Sequence, residues 1–137
     1  MAGDRRFEVE ILTPEGEVFS GEVQQVSTRT AVGEIGILAN HVPVLAALEP
    51  TELRLHLSDS EVESYAQAHG WLQVFANQAL LLVEEAIPPD QLDASRLQEQ
   101  MKDAEQRLSE AEEGSAAQER AEKDRARLEA FLELAGR

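Results

Sequence analysis

Apolar and polar positions alternate along most of the first 83 residues of this chain. From Phe7 to Leu12 every second residue is apolar and those between are mainly acidic, the pattern of a half-buried β-strand. Further strand-like segments occur at 18–21, 23–26, 35–38, 44–48, 53–57, 62–68, 71–76 and 80–83. Many short strands separated by turns favour an antiparallel β-sandwich or flattened barrel over βαβ units. The alternation also predicts that Trp71 lies in the core.

A proline-rich joint, Ile87–Asp90, ends the alternating region, and the period then becomes helical. Asp90 is the predicted N-cap of a first helix. Gly114 ends that helix, and Ser115–Gln118 has the form of a capping box that opens a second one. The apolar positions are Leu97, Met101, Ala104, Leu108 and Ala111 on the first helix, and Ala117, Ala121, Leu128, Phe131, Leu132 and Ala135 on the second.

The chain is therefore expected to be α+β by segments, with an N-terminal antiparallel β-sandwich (1–87) followed by an antiparallel two-helix hairpin (88–137). Six large side chains can meet within the hairpin, which stabilises it by about 10–15 kcal/mol in gross terms. Ordering about forty residues costs more than that, so the hairpin must pack against the β-domain or another protein. A marginal, hinged element of this kind suits a conformational switch.

Composition narrows the classes of function. The formal net charge of −15 argues against nucleic acid and anionic lipid as direct partners. The chain has no cysteine, which excludes thiol catalysis and suits a reducing compartment. No run of about 20 apolar residues is present, so no membrane-spanning segment is expected.

Candidate chemistry is sparse. His41, His56 and His69 lack the spacing of metal ligands, so no metal site is predicted. Glu84 and Glu85 are adjacent and point to opposite faces of a strand, so they do not form a catalytic pair. No catalytic residue or cofactor is predicted.

The stretch from Gly33 to Pro43 carries the most information. Its glycines permit positive φ angles or close backbone approach, and it resembles the G-E-x-G-I-L-x-x-H-x-P stretch of the epsilon subunit of bacterial and chloroplast-type ATP synthases. Residues 17–22 and 72–74 also match that family, in the right order, and the resemblance extends over 7–137. Departures from the family pattern at Ala39, Thr51 and His69 fall in turns.

The resemblance implies a non-catalytic central-stalk subunit that couples the gamma subunit to the membrane ring of c subunits and restrains ATP hydrolysis. It implies that Glu34 and His41 contact the rotor ring and gamma. Its nucleotide signature corresponds to Asp93 and Arg96, although Leu97 and Asp103 oppose ATP binding. Its inhibitory contact with the catalytic beta and alpha subunits, made by basic residues of the second helix, is expected at Arg120, Lys123 and Arg127.

The resemblance also implies a peripheral position on the cytoplasmic face of a bacterial cell membrane, with the stromal face of the thylakoid as the second choice. The alternative function is a free-standing ligand-binding β-sandwich whose helical tail drives oligomerisation. Binding to gamma, as against self-association, would separate the two.

Overall fold

Ten strands make up the first part of the chain in a computed structural model, which describes residues 5–137. They are β1 Phe7–Thr13, β2 Gly16–Val23, β3 Gln25–Thr30, β4 Gly33–Leu38, β5 Val44–Leu48, β6 Thr51–His56, β7 Val62–Gln67, β8 Gly70–Phe75, β9 Gln78–Val83 and β10 Ala86–Ile87. The predicted sandwich is confirmed.

The strands pair in the order β10-β7-β6-β3-β5-β8-β9-β1-β2, with β4 on the other side of β3. A single residue pair, Thr30 with Leu48, joins the half that contains β3 to the half that contains β5. Neighbouring strands are antiparallel with one exception, since β1 and β9 pair in parallel from Glu8–Gln78 to Leu12–Leu82. That pairing brings the first strand beside the ninth.

The hydrophobic core lies between the two halves of the sheet and is formed by the apolar side chains that alternate with polar ones along the strands. Its buried side chains come from β1 to β9 and include Val9, Ile11, Ile37, Leu53, Leu55, Leu72 and Leu81. The prediction for Trp71 was wrong, because Leu72 and Val74 set the phase of β8 and turn its odd-numbered residues outward.

The helical part begins with a 3₁₀ turn, Pro89–Gln91, followed by α1 Ala94–Glu110 and α2 Ala116–Ala135. Asp90 lies in the 3₁₀ turn, so the N-cap of α1 is Asp93, whose side chain accepts from the backbone N–H of Arg96. At α2 the predicted N-cap is present, because Ser115 Oγ accepts from the N–H of Gln118. Together the two caps fix where each helix starts.

The hairpin packs against β7 through a second apolar cluster. Ala66 and Ala68 are fully buried there, and their small side chains let Phe131, Leu128 and Leu97 approach the sheet. Leu134, which was not among the predicted apolar positions of the second helix, is also buried, because α2 contacts β6 and β7 as well as α1. Ala117, assigned to the apolar face, is exposed. The hairpin is thus folded down on the β-domain.

Candidate partner-binding surfaces

Glu34 lies on β4 directly after the tip of the β3–β4 hairpin. Gly33 has φ +132° at that tip, a conformation that favours glycine. The side chain of Glu34 is 78% exposed and its carboxylate lies 3.3 Å from Arg29 on the paired strand. The tip residue Val32 is almost fully exposed. Glu34 is therefore available to a partner at the cost of a weak surface ion pair.

His41 lies at the opposite end of β4, in a turn held by Asn77. The N–H of Asn40, which has φ 63°, donates to Asn77 Oδ1 at 2.7 Å, and Asn77 Nδ2 donates to the carbonyl of Arg6. His41 Nδ1 donates to the carbonyl of Val42 at 2.7 Å, since a carbonyl oxygen can only accept. Asn77 thus fixes the turn that presents the imidazole.

The structure does not bring Glu34 and His41 together. Leu38 lies four positions after Glu34 on the extended strand, a distance of about 13 Å, and a turn follows before His41. Two separate contacts, one at each end of β4, fit this geometry better than one shared site.

An exposed apolar face, formed by Leu45, Trp71, Phe75 and Leu82, was missed from the sequence. These side chains are 46–74% exposed although each lies on a regular strand. Trp71 pairs with Ala47 on one side and Leu82 on the other, so β5, β8 and β9 align their outward residues. Large exposed apolar patches on a sheet are typical of protein–protein interfaces.

The apolar face continues into an acidic strip on the neighbouring strands. Glu8 and Glu10 on β1 and Glu22 on β2 line a groove of about 430 Å³ that also contains Phe75 and Leu80. Glu10 pairs with Leu80 in register, so charge and apolar surface meet side by side. This face therefore suits a partner that presents apolar and basic groups together.

The two candidate nucleotide residues, Asp93 and Arg96, share a groove of about 380 Å³ with Arg127 and Phe131. The Asp93 carboxylate is already engaged as the helix cap, and Arg96 is exposed. Asp103, expected to repel a triphosphate, does not line this groove and accepts from Arg107 instead. Besides Asp93, the carboxylate of Glu85 lines this groove.

The three candidate inhibitory residues have different environments. Arg120 and Lys123 are exposed, and within residues 5–137 neither has an ion-pair partner. Arg127 is only 18% exposed; its guanidinium lies 3.1 Å from Glu85 Oε1 and 5.7 Å from the centroid of the Phe131 ring. The folded hairpin therefore leaves two of the three cations free and holds the third.

A chain of charges, here called the ion network, connects both helices to the β-domain. Arg107 bridges Asp103 at 2.9 Å on α1 and Asp124 at 2.8 Å on α2, and Asp124 lies 3.9 Å from Arg127, which contacts Glu85. The hydrogen bonds that Arg107 donates to Asp124 and Asp103 raise the pKa of its guanidinium above the usual range. Asp124, which interrupts the apolar pattern of α2, thus joins the helices through charge.

The end of α2 is tied to the β-domain at Glu52, on β6. Arg137 lies 3.0 Å from Glu52 Oε1, and Arg54 lies 3.1 Å from the same oxygen. Burial alone would raise the pKa of Glu52, but hydrogen bonds from Ser64, Arg137 and Arg54 and the charge of Arg54 outweigh it and lower that pKa. The carboxylate is therefore held in its charged form.

Residues 5–137 contain neither a metal-binding cluster nor a membrane-spanning helix. No three His, Asp or Glu side chains converge as a metal site would require. Neither helix is long and apolar enough to cross a membrane.

Comparison with known proteins gives the family. Residues 6–89 match the family described as ATP synthase, Delta/Epsilon chain, beta-sandwich domain. The ATP synthase epsilon chain of Persephonella marina is 40% identical over 131 residues, covering 95% of this chain and 96% of that protein. That of Halalkalibacterium halodurans is 36% identical over 129 residues, covering 94% and 96%.

A solved structure shares the fold. It is a chain of the Euglena gracilis mitochondrial ATP synthase, in an assembly titled OSCP/F1/c-ring, with a TM-score of 0.80 and 21% identity over 97% of this chain and 82% of that chain. At that identity the likeness concerns the fold alone, while the two bacterial relatives cover nearly the whole chain at higher identity. This chain therefore belongs to the epsilon chains of ATP synthase.

Proposed function

We propose that this chain is a non-catalytic rotor subunit in the central stalk of a proton-translocating ATP synthase. It couples gamma to the membrane ring of c subunits, and its helices restrain ATP hydrolysis. Membership of the family supports assembly into an ATP synthase. The observation that best supports the coupling role is the exposed apolar face, because such a surface on a β-domain needs a permanent partner. No catalytic group is assigned to it.

Gamma binds the apolar face in this proposal. Trp71, Phe75 and Leu45 supply the anchors, since exposed aromatic and aliphatic side chains are typical centres of binding energy. The adjacent acidic strip selects a basic rim on gamma. His41 lies at the end of β4 next to this surface, so it contacts gamma as well.

Glu34 contacts the ring of c subunits at the other end of β4. Its exposed carboxylate and the neighbouring Val32 project from the β3–β4 tip, where a polar loop of the ring can reach them. The separation of Glu34 from His41 lets one strand connect two partners. Replacing Glu34 and His41 together is expected to weaken assembly without unfolding the domain.

The helical hairpin acts on the catalytic beta and alpha subunits when it extends. Helices of 17 and 20 residues placed end to end span about 55 Å, enough to run far along a central stalk. Arg120, Lys123 and Arg127 then meet acidic groups of the beta subunit. Truncation after Pro89 should leave assembly intact and raise ATP hydrolysis, and equal hydrolysis rates with and without the tail would contradict this role.

In this proposal the subunit is peripheral to the membrane and lies at the cytoplasmic face of a bacterial cell membrane. The alternative of a ligand-binding module with an oligomerisation tail is less well supported, because Leu128, Phe131 and Leu134 are buried within the chain.

Binding to gamma tests the proposal directly. Trp71→Asp should weaken binding about thirtyfold or more, as the loss of a central anchor does. Val62→Asp is a matched control, because Val62 is 49% exposed on β7, in the other half of the sheet. Titration calorimetry that finds equal affinity for both variants and the parent would refute the docking surface.

A further inference from the structure

Glu84 and Glu85 occupy the bend between β9 and β10, and backbone hydrogen bonds fix that bend on both sides. The N–H of Glu84 donates to the carbonyl of His69 at 3.0 Å, and the N–H of Ala68 donates to the carbonyl of Glu85 at 3.0 Å. The two carboxylates are therefore presented from a rigid part of the β-domain. No step in the proposed function uses them.

The cationic side of α2 lies against this bend. Arg127 pairs with Glu85 and is mostly buried, while Lys123, one turn earlier, lines a groove of about 490 Å³ with Glu84 and Trp71. Arg127 therefore already contacts an acidic residue of its own chain, whereas Lys123 lies in the same groove as Glu84 without forming an ion pair with it. The β-domain occupies the place that the partner would take.

We propose that Glu85 is the internal competitor of that acidic partner, so that Arg127 exchanges one carboxylate for another when the hairpin extends. The proposal rests on the inhibitory role given to α2 above. One guanidinium cannot keep both contacts, because Glu85 stays with the sheet while an extended α2 lies tens of ångströms away. Glu85 thereby sets how readily the hairpin is released.

The ion network makes this exchange cooperative with opening of the hairpin. Asp124 contacts both Arg107 on α1 and Arg127 on its own helix, so separating the helices breaks the contact between Arg107 and Asp124 as Arg127 leaves Glu85. Removing Glu85 alone should shift the ratio of docked to released hairpin by about two- to tenfold, as expected for a partly buried pair within a network.

Hydrogen exchange of the α2 amides in the 137-residue chain tests the internal contact. Glu85→Gln and Arg127→Gln should each speed exchange about two- to tenfold, and the double variant should match Arg127→Gln alone. Glu61→Gln, in the exposed β6–β7 turn, is the matched control and should leave exchange unchanged. Unchanged exchange in Glu85→Gln, or additive effects in the double variant, would overturn the pairing.

ATP hydrolysis by the assembled complex tests the second half of the exchange. Glu85→Gln should lower hydrolysis, because a released Arg127 is free for the partner, and the double variant should reverse that loss. If truncation after Pro89 raises hydrolysis but Glu85→Gln does not lower it, the exchange is wrong and the inhibitory role stands. If truncation has no effect, the inhibitory role fails and the exchange fails with it.

Discussion

Phe131→Ala should release the hairpin while leaving the β-sandwich folded. Phe131 is 1% exposed and lies in the apolar cluster between α2 and β7, whereas the core of the sandwich is a separate cluster to which it does not belong. Removing a buried phenylalanine costs about 3–5 kcal/mol. That loss lowers the ratio of docked to released hairpin more than a hundredfold. Because the hairpin is only marginally stable, a change of this size should release it.

Hydrogen exchange resolved along the chain measures this effect. Amides of α1 and α2 should lose protection in Phe131→Ala, and amides of β8 and β9 should keep it. Phe75→Ala is the matched control, because the same side chain is removed from a position that is 63% exposed. Equal loss of protection in helices and strands would refute the reasoning, since it would mean that the two clusters unfold as one unit.

Three further results are expected. Gly70→Ala should destabilise the sandwich by about 3 kcal/mol in denaturant titrations, because the added Cβ would lie 2.0 Å from the carbonyl oxygen of Leu82. Gly36→Ala is the control and should destabilise it far less, since the nearest atom to its added Cβ, Gln25 Nε2, is 3.4 Å away. Glu52 has a lowered pKa in the folded chain, so its stabilisation is complete above the ordinary value of 4.5 and is lost as the pH falls below it; helix protection measured against pH should decline there. Asp93→Ala should cost α1 about 1 kcal/mol, seen as a lower helix melting temperature.

Local patterns in the sequence located the strands β1 to β9 and both helices, but not the two-residue strand β10. Alternation located the strands because each has one buried face, and Gly114 with Ser115 located the helix junction because turns and caps demand particular residues. The phase of β8 was misjudged because Trp71 and Leu72 are both apolar. A single large side chain does not say which of two neighbours faces the core.

The candidate surfaces depend on strand order, which no local pattern contains. Trp71 and Leu82 form one apolar face only because β8 pairs with β9, and Leu45 joins them only because β5 lies on the far side of β8. The contact between Arg127 and Glu85 joins residues 42 positions apart. Glu34 and His41, by contrast, were recognisable from a motif because both belong to one short segment.

The parallel pairing of β1 with β9 has a consequence for synthesis. Because Glu8 pairs with Gln78, the second edge of β1 stays unpaired until about seventy more residues have been translated. At ordinary rates of translation this takes roughly 4–14 s. During that time the nascent chain exposes an apolar strand edge, a known risk for aggregation. The helices are translated after all ten strands, so they leave the ribosome when the surface of β7 that receives them has already been made.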